Sequence, residues 1–314
     1  MKQSKTILAA LVASMMTLTA CTDEPMYYSF LEEGAGAEER ASVGFDESGA
    51  SKMTFSVSEN KSVRFSKGNL QYKPAQKTWR FSNSQYGYMG LKDTNIADTN
   101  YNDWVDLFGW ATSGFESGAP AYHPCSISTD YMDYVPGITG LGEDDIVGNL
   151  ATCDWGVFNA ISNGGNAQGM WRTLTAKEWQ YLFSYGDEAN YIRQGKWGIG
   201  TIAGLYHGLI ILPDIWNLPT GLVFVPGTEN EWNTNNYGLD DWTKMEEAGA
   251  VFLPAAGRRE YTGILFTEIY GDYWSTTHYN IEKAFSMNFG KSFLDADRTS
   301  SRHMGYSVRL VMDI

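Results

Sequence analysis

From Met53 onward the chain alternates apolar and polar residues in short bursts, and this pattern restricts the fold more than any other feature. Phe55 and Val57, Val63 and Phe65, Leu70 and Tyr72, and Trp79 and Phe81 each sit two apart, with Lys67-Gly68-Asn69 and Lys73-Pro74 breaking the runs. A period of two sends side chains to alternate faces, so these segments predict short antiparallel strands. Further strands are expected at Leu209–Leu212, Leu222–Val225, Val251–Leu253, Phe285–Phe289 and Val308–Val311. Three helices are expected between them. Asp154 caps a run from Trp155 to Ile161 that Gly164 closes, and Thr175-Ala176-Lys177-Glu178 is a capping box ahead of Trp179, Leu182 and Phe183. The third starts near Asp240-Asp241, turns Trp242 and Met245 inward and stops at Gly249. Many short strands, few helices and long glycine-punctuated loops predict an α+β domain whose core is largely aromatic.

The 314 residues are enough to bury a sizeable core, and 43% hydrophobic content excludes a mainly disordered chain. The formal charge of -14 argues against nucleic acid as a partner, because a polyanion is repelled.

Lys2 and Lys5 precede an apolar run from Ile7 to Leu18. That run is too short to span a bilayer, which needs ~20 residues, and it predicts a signal peptide over residues 1–20. Leu18-Thr19-Ala20-Cys21 resembles the bacterial lipoprotein box. The resemblance implies cleavage before Cys21, acylation of that residue (palmitate is one such acyl group) and attachment to the membrane through lipid. Asp23-Glu24 resembles the surface-export signal of Bacteroidetes lipoproteins, which implies an outer-membrane protein facing outward. Residues 21–52 carry Glu32, Glu33, Glu38, Glu39, Asp46 and Glu47 among small residues, and read as the lipidated cysteine with a flexible acidic tether. The exported domain is then 53–314.

With Cys21 lipidated, Cys125 and Cys153 remain, in loop-like sequence. Export makes a bridge between them one alternative; two unpaired core thiols are the other. Two cysteines and four scattered histidines offer no metal-ligand spacing, so no metal and no cofactor is expected. Glu229, Glu231, Asp240 and Asp241 read as a solvated acidic loop with a helix start rather than a calcium cage.

Three segments together carry a family resemblance. Trp171-Arg172-Thr173-Leu174-Thr175-Ala176-Lys177-Glu178-Trp179 is similar to a segment of formylglycine-generating-enzyme-type (sulfatase-modifying-factor-type) domains. Val251–Gly257 followed by Tyr273-Trp274-Ser275-Thr276-Thr277, and the closing Gly305-Tyr306-Ser307-Val308-Arg309-Leu310-Val311, keep the same order. The chain thus resembles Bacteroides-type lipoproteins with a C-type-lectin-like domain of that type. The enzymes of the family oxidise a substrate cysteine through paired thiols near the C-terminus. No residue after Cys153 is a cysteine, so the oxidase has no thiolate to work with. Arg172, Arg258 and Arg309 lie in the framework motifs and are expected to pair carboxylates such as Glu178.

The function expected is non-enzymatic recognition of a protein or glycan; a structural part in a surface assembly is the alternative. The candidate ligand-binding residues are Tyr273, Trp274, Thr276, His278, Tyr279, Asn280, Arg298, Arg302 and His303. They are read as loop residues around the strand Phe285–Phe289, where aromatic area and adaptable hydrogen bonds serve binding.

Overall fold

The structure, a computed structural model, describes residues 40–90, 100–115, 123–136, 144–185, 191–228 and 231–314. The alternating runs pair as the pattern requires: β1 (Phe55–Ser58) with β2 (Lys61–Phe65), and β3 (Leu70–Lys73) with β4 (Thr78–Phe81), both antiparallel. The two-residue β5 (Arg172–Thr173) follows, and then β6 (Trp197–Ile202), β7 (Tyr206–Ile211), β8 (Asn235–Tyr237) and β9 (Val251–Pro254), which form one sheet in the order β8-β6-β7-β9. A hairpin of β10 (Arg258–Glu260) and β11 (Gly263–Leu265) leads to a three-stranded antiparallel sheet of β12 (Tyr270–His278), β13 (Lys283–Gly290) and β14 (Phe293–Ser301). The last strand, β15 (Leu310–Asp313), inserts between β2 and β5. Among the described residues strands and bridges hold 35% and helices 14%, an α+β architecture. Among the described residues no helix is long and apolar enough to cross a membrane.

Two of the helices carry the caps read from sequence. In α1 (Trp155–Phe158) the Asp154 carboxylate accepts from Gly156 N–H, but the helix stops after one turn. Asn159 turns extended there, and its amide donates to the Trp155 carbonyl, which frees Ile161 to bridge Trp79. In α2 (Ala176–Leu182) both halves of the Thr175–Glu178 capping box form. Glu178 also takes two bonds from Arg172, at 2.7 and 2.8 Å, so one carboxylate fixes both the helix start and β5. We expect Glu178→Ala to cost about 1–3 kcal/mol in urea unfolding, because it leaves the Thr175 N–H unpaired and Arg172 with Asp313 as its remaining carboxylate partner. Glu178→Gln will cost less, since the amide oxygen still accepts. The third helix, α3 (Leu239–Glu247), is capped at Gly238, not at Asp240; Asp240 and Asp241 occupy its first turn instead.

Leu222–Val225 is not a strand. The Asn235 side chain satisfies Val225 N–H and C=O, each at 2.8 Å, in place of a neighbouring ladder. Residues 43–52 are not a tether either. Asp46 accepts from Ser48 N–H and Ala50 N–H and pairs with Arg64, while Ala50 and Ser51 are buried against β2. Cys21 and the four glutamates from Glu32 to Glu39 lie outside the described residues.

Eight of the eleven tryptophans are buried in the core, which falls into three clusters. Trp110, Trp155, Trp171 and Trp274 centre the first, Trp179 the second and Trp242 the third. Cys125 and Cys153 sit in the first as free buried thiols, the second of the two arrangements considered. Burial pushes the Cys153 thiol up to about 12, so it is not a thiolate at neutral pH.

Candidate functional site

The sheet of β12, β13 and β14 carries the candidate residues and presents two faces. One face places Tyr273, Met287, Phe289 and Ala296 in the core beneath Trp179 of α2. On the other, Asp272 and Asn288 form one cross-strand pair and Trp274 and Ser286 the next, with Arg298 opposite Ser286. Tyr273, Trp274, Thr276, His278 and Arg298, expected in loops, are therefore strand residues. Polar side chains such as Asp272, Ser275 and Thr276 are buried in β12, which hides the strand from any apolar alternation.

This corrects four of the nine candidates. Tyr273 is fully buried; its hydroxyl donates to the Pro254 carbonyl and accepts from the Asn69 amide, both at 3.0 Å. Trp274 is buried, donates its ring N–H to the Phe108 carbonyl at 2.7 Å and stacks on Tyr306 with centroids 4.4 Å apart. Thr276 is buried as well. Arg302 is enclosed with its guanidinium 4.4 Å from the Trp110 ring centroid and donates to the Asn280 carbonyl at 2.7 Å. These four side chains build the frame and do not face a ligand.

His278, Tyr279 and Asn280 do come together, at the turn from β12 to β13. His278 Nδ1 lies 2.7 Å from an Asp145 carboxylate oxygen, which also accepts its backbone N–H. Asp145 was missed by sequence reasoning because 133 residues separate the pair. Asn280 is an Asx-turn residue whose side-chain oxygen accepts from Glu282 and Lys283 N–H. Tyr279 is 53% exposed and meets Phe285 edge-on at 5.4 Å, so its base is fixed while its face is open. Arg302 braces this turn from beneath. His303 and Arg298 are half-buried and stand apart from it in the chain, Arg298 on β14 and His303 just after it. Burial and nearby Arg259 lower the His303 pKa.

No hydrolytic triad forms from Ser275, His278 and Asp272. The Ser275 hydroxyl donates to the Phe285 carbonyl, and Asp272 accepts from Asn288. The acidic loop residues are dispersed: Asp240 pairs with Arg40, Asp241 with Lys244 and Glu231 with Lys291, and Glu229 lies outside the described residues. Among the described residues no three metal-ligating side chains cluster. Of the framework arginines, Arg172 pairs with Glu178 and Arg258 with Glu260, whereas Arg309 meets the Gln85 amide oxygen at 2.8 Å rather than a carboxylate.

Burial dominates the electrostatics. It raises Glu268 to about 8, against bonds from Tyr88 and His207 N–H, and Glu246 to about 7. Asp154 and Asp272 are raised to about 6 for the same reason, with Arg298 and Arg258 opposing it at Asp272. Glu178 goes the other way: against the cost of burial, Arg172 holds it below its ordinary value. A carboxyl raised on folding binds protons more tightly in the native state, so its stabilisation is full below its unfolded pKa and fades as pH climbs through the folded one. Glu178 and Asp313 impose the opposite loss at lower pH. His123, His207 and His303, lowered by burial, oppose this below about pH 6.5. We therefore expect Tm to fall by several degrees from near pH 6.5 to near pH 8.5, with Glu268→Gln flattening that slope. A Tm that rises steadily to pH 8.5 would contradict it.

No protein-family model matches the chain, and neither a curated protein nor a solved structure proves similar to it.

Proposed function

We propose that the chain is a lipid-anchored bacterial outer-membrane protein, facing outward, whose C-type-lectin-like domain recognises a protein or glycan without catalysis. The observation that carries this reading is the β12–β13 turn, where Tyr279 stands 53% exposed on a backbone braced by Arg302 and the His278–Asp145 contact. A rigid aromatic side chain held out of a fixed frame gives contact area for little entropy cost.

The lectin-like assignment draws support from packing. The segments that carry the resemblance lie together: Trp179 donates to the Trp274 carbonyl at 3.3 Å, Thr276 N–H to the Leu174 carbonyl at 2.9 Å, and Val311 pairs with Arg172. A non-enzymatic role fits a chain whose thiols beyond Cys21 are both buried. A structural part in a surface assembly is the second reading, favoured by the inward turn of Tyr273, Trp274, Thr276 and Arg302.

The test is affinity capture of ligand by the full chain and its Tyr279→Ala variant. Capture should fall by about tenfold or more, the range of a lost aromatic anchor. Equal capture by both proteins would remove this surface from the account. Asn280→Ala is the poorer probe, because it also removes two turn bonds.

A further inference from the structure

Between β7 and β8 the chain runs through a loop, 212–226, in which Asp214 is the sole ionisable residue. Its carboxylate is turned inward: it accepts from Ser56 N–H and the Ser56 hydroxyl and pairs with Arg193 at 2.9 Å. Trp216, Leu222 and Phe224 are half-buried against the third core cluster, which seats the loop on the domain. Ile215 and Val223 are nevertheless 72% and 70% exposed, and Leu218, between them in the chain, is exposed as well. Large apolar side chains grouped in this way mark a surface that meets a partner or a membrane.

The loop's backbone is prepared to lose water. The Asn235 side chain takes Val225 N–H and C=O, the Tyr237 hydroxyl donates to the Val223 carbonyl, and Leu222 N–H closes a turn on the Pro219 carbonyl. Pro213, Pro219 and Pro226 have no N–H to desolvate. Polar groups already paired inside the protein cost less to bring into an apolar medium.

The second observation concerns where the chain enters the domain. Arg40, the first described residue, donates its N–H to the Tyr86 hydroxyl and pairs with Asp240 in the first turn of α3. Tyr86 belongs to the cluster on which the loop packs, and Asp240 comes three residues after Tyr237, whose hydroxyl holds Val223. Cys21 lies nineteen residues before Arg40, a reach of at most ~65 Å. An anchor at Cys21 therefore draws the bilayer toward the side of the head that carries the loop.

We propose that the 212–226 loop sets Ile215, Leu218 and Val223 into the interface of a zwitterionic bilayer and so fixes which side of the head faces the membrane. The inference rests on the anchor proposed above and adds a contact that the acyl chains do not supply. Neutral headgroups follow from charge: the loop presents no cation, and a chain of charge -14 is repelled by anionic lipid. Such binding scales with the apolar area buried, so three side chains orient an anchored head and do not hold it by themselves.

The test uses the full acylated chain in phosphatidylcholine vesicles, with an environment-sensitive fluorophore on Val223→Cys and a nitroxide quencher on part of the lipid. Cys125 and Cys153 are buried and Cys21 is acylated under the same reading, so the label goes to the added thiol. The quencher should cut emission at Val223→Cys by about half or more and leave a label at Lys177→Cys, exposed on α2, unchanged. Adding Ile215→Asp should return the Val223→Cys emission to the unquenched level, because a carboxylate resists entry into the interface. Failure to co-sediment with the vesicles removes the anchor and this inference together. Co-sedimentation without quenching at Val223→Cys overturns this inference alone and leaves the anchor standing. Equal quenching at both positions also overturns it, since the head then has no preferred side. So does an unquenched emission shift that grows with protein density, which would put a second copy over the loop, or quenching that requires phosphatidylglycerol, which would make the contact one of charge.

Discussion

Trp274→Ala will destabilise the domain by about 3–5 kcal/mol, read as a fall in the urea midpoint with little change in its slope. The side chain is 1% exposed, and its removal leaves a cavity in the first core cluster. It also unpairs the Phe108 carbonyl and takes away the ring against which Tyr306 stacks. Trp274→Phe will recover much of the volume but not the hydrogen bond, so its loss should lie between the two. A loss under about 1 kcal/mol would mean the ring is not the packing centre described here.

The second large effect concerns the proposed anchor. Cys21→Ser should move the protein from the membrane fraction to the soluble fraction, because serine has no sulfur to carry the diacylglyceryl group that the resemblance implies. Each buried methylene of an acyl chain contributes ~0.8 kcal/mol, so several chains hold persistently and their loss is close to all-or-none. Fractionation of cells expressing both proteins checks it; equal membrane association would remove the anchor from the account.

Fold class was legible because the first four strands alternate cleanly and the Thr175–Glu178 box is a local motif with a local cause. What stayed hidden shares one property, polar side chains satisfied over long sequence distances. β12 buries Asp272, Ser275 and Thr276 by bonding them to other strands or enclosing them, so its strand signal is lost. The Asn235 side chain holds Val225 where a strand was expected, and Asp46 fastens a segment whose composition suggests a tether. The candidate site divides in the same way. Tyr279 and Asn280 are exposed at a turn that short-range pattern suggests, but Trp274 and Arg302 look identical in sequence to surface contacts and are buried by partners more than 100 residues away, Phe108 and Tyr134. The Tyr270–Phe293 contact was invisible, because the two rings meet only once β12 and β14 flank Gly290.

The clasp formed by residues 42–52 sets how the domain responds to mechanical load. If the proposed anchor holds the protein at its N-terminus, drag among the described residues arrives first at Arg40, bonded to Tyr86 and paired with Asp240. It passes next to Ser42, whose N–H bonds to the Asn83 carbonyl, and then to Ser51, bonded to Phe65 of β2 at 2.8 Å. β2 is hydrogen-bonded to β15, so the pull passes into the sheet that joins the two ends of the domain. Ala50 runs antiparallel to Ser66, and the Arg64–Asp46 pair lies across the same joint. Under the proposed anchor, the clasp should yield to load before the aromatic clusters do.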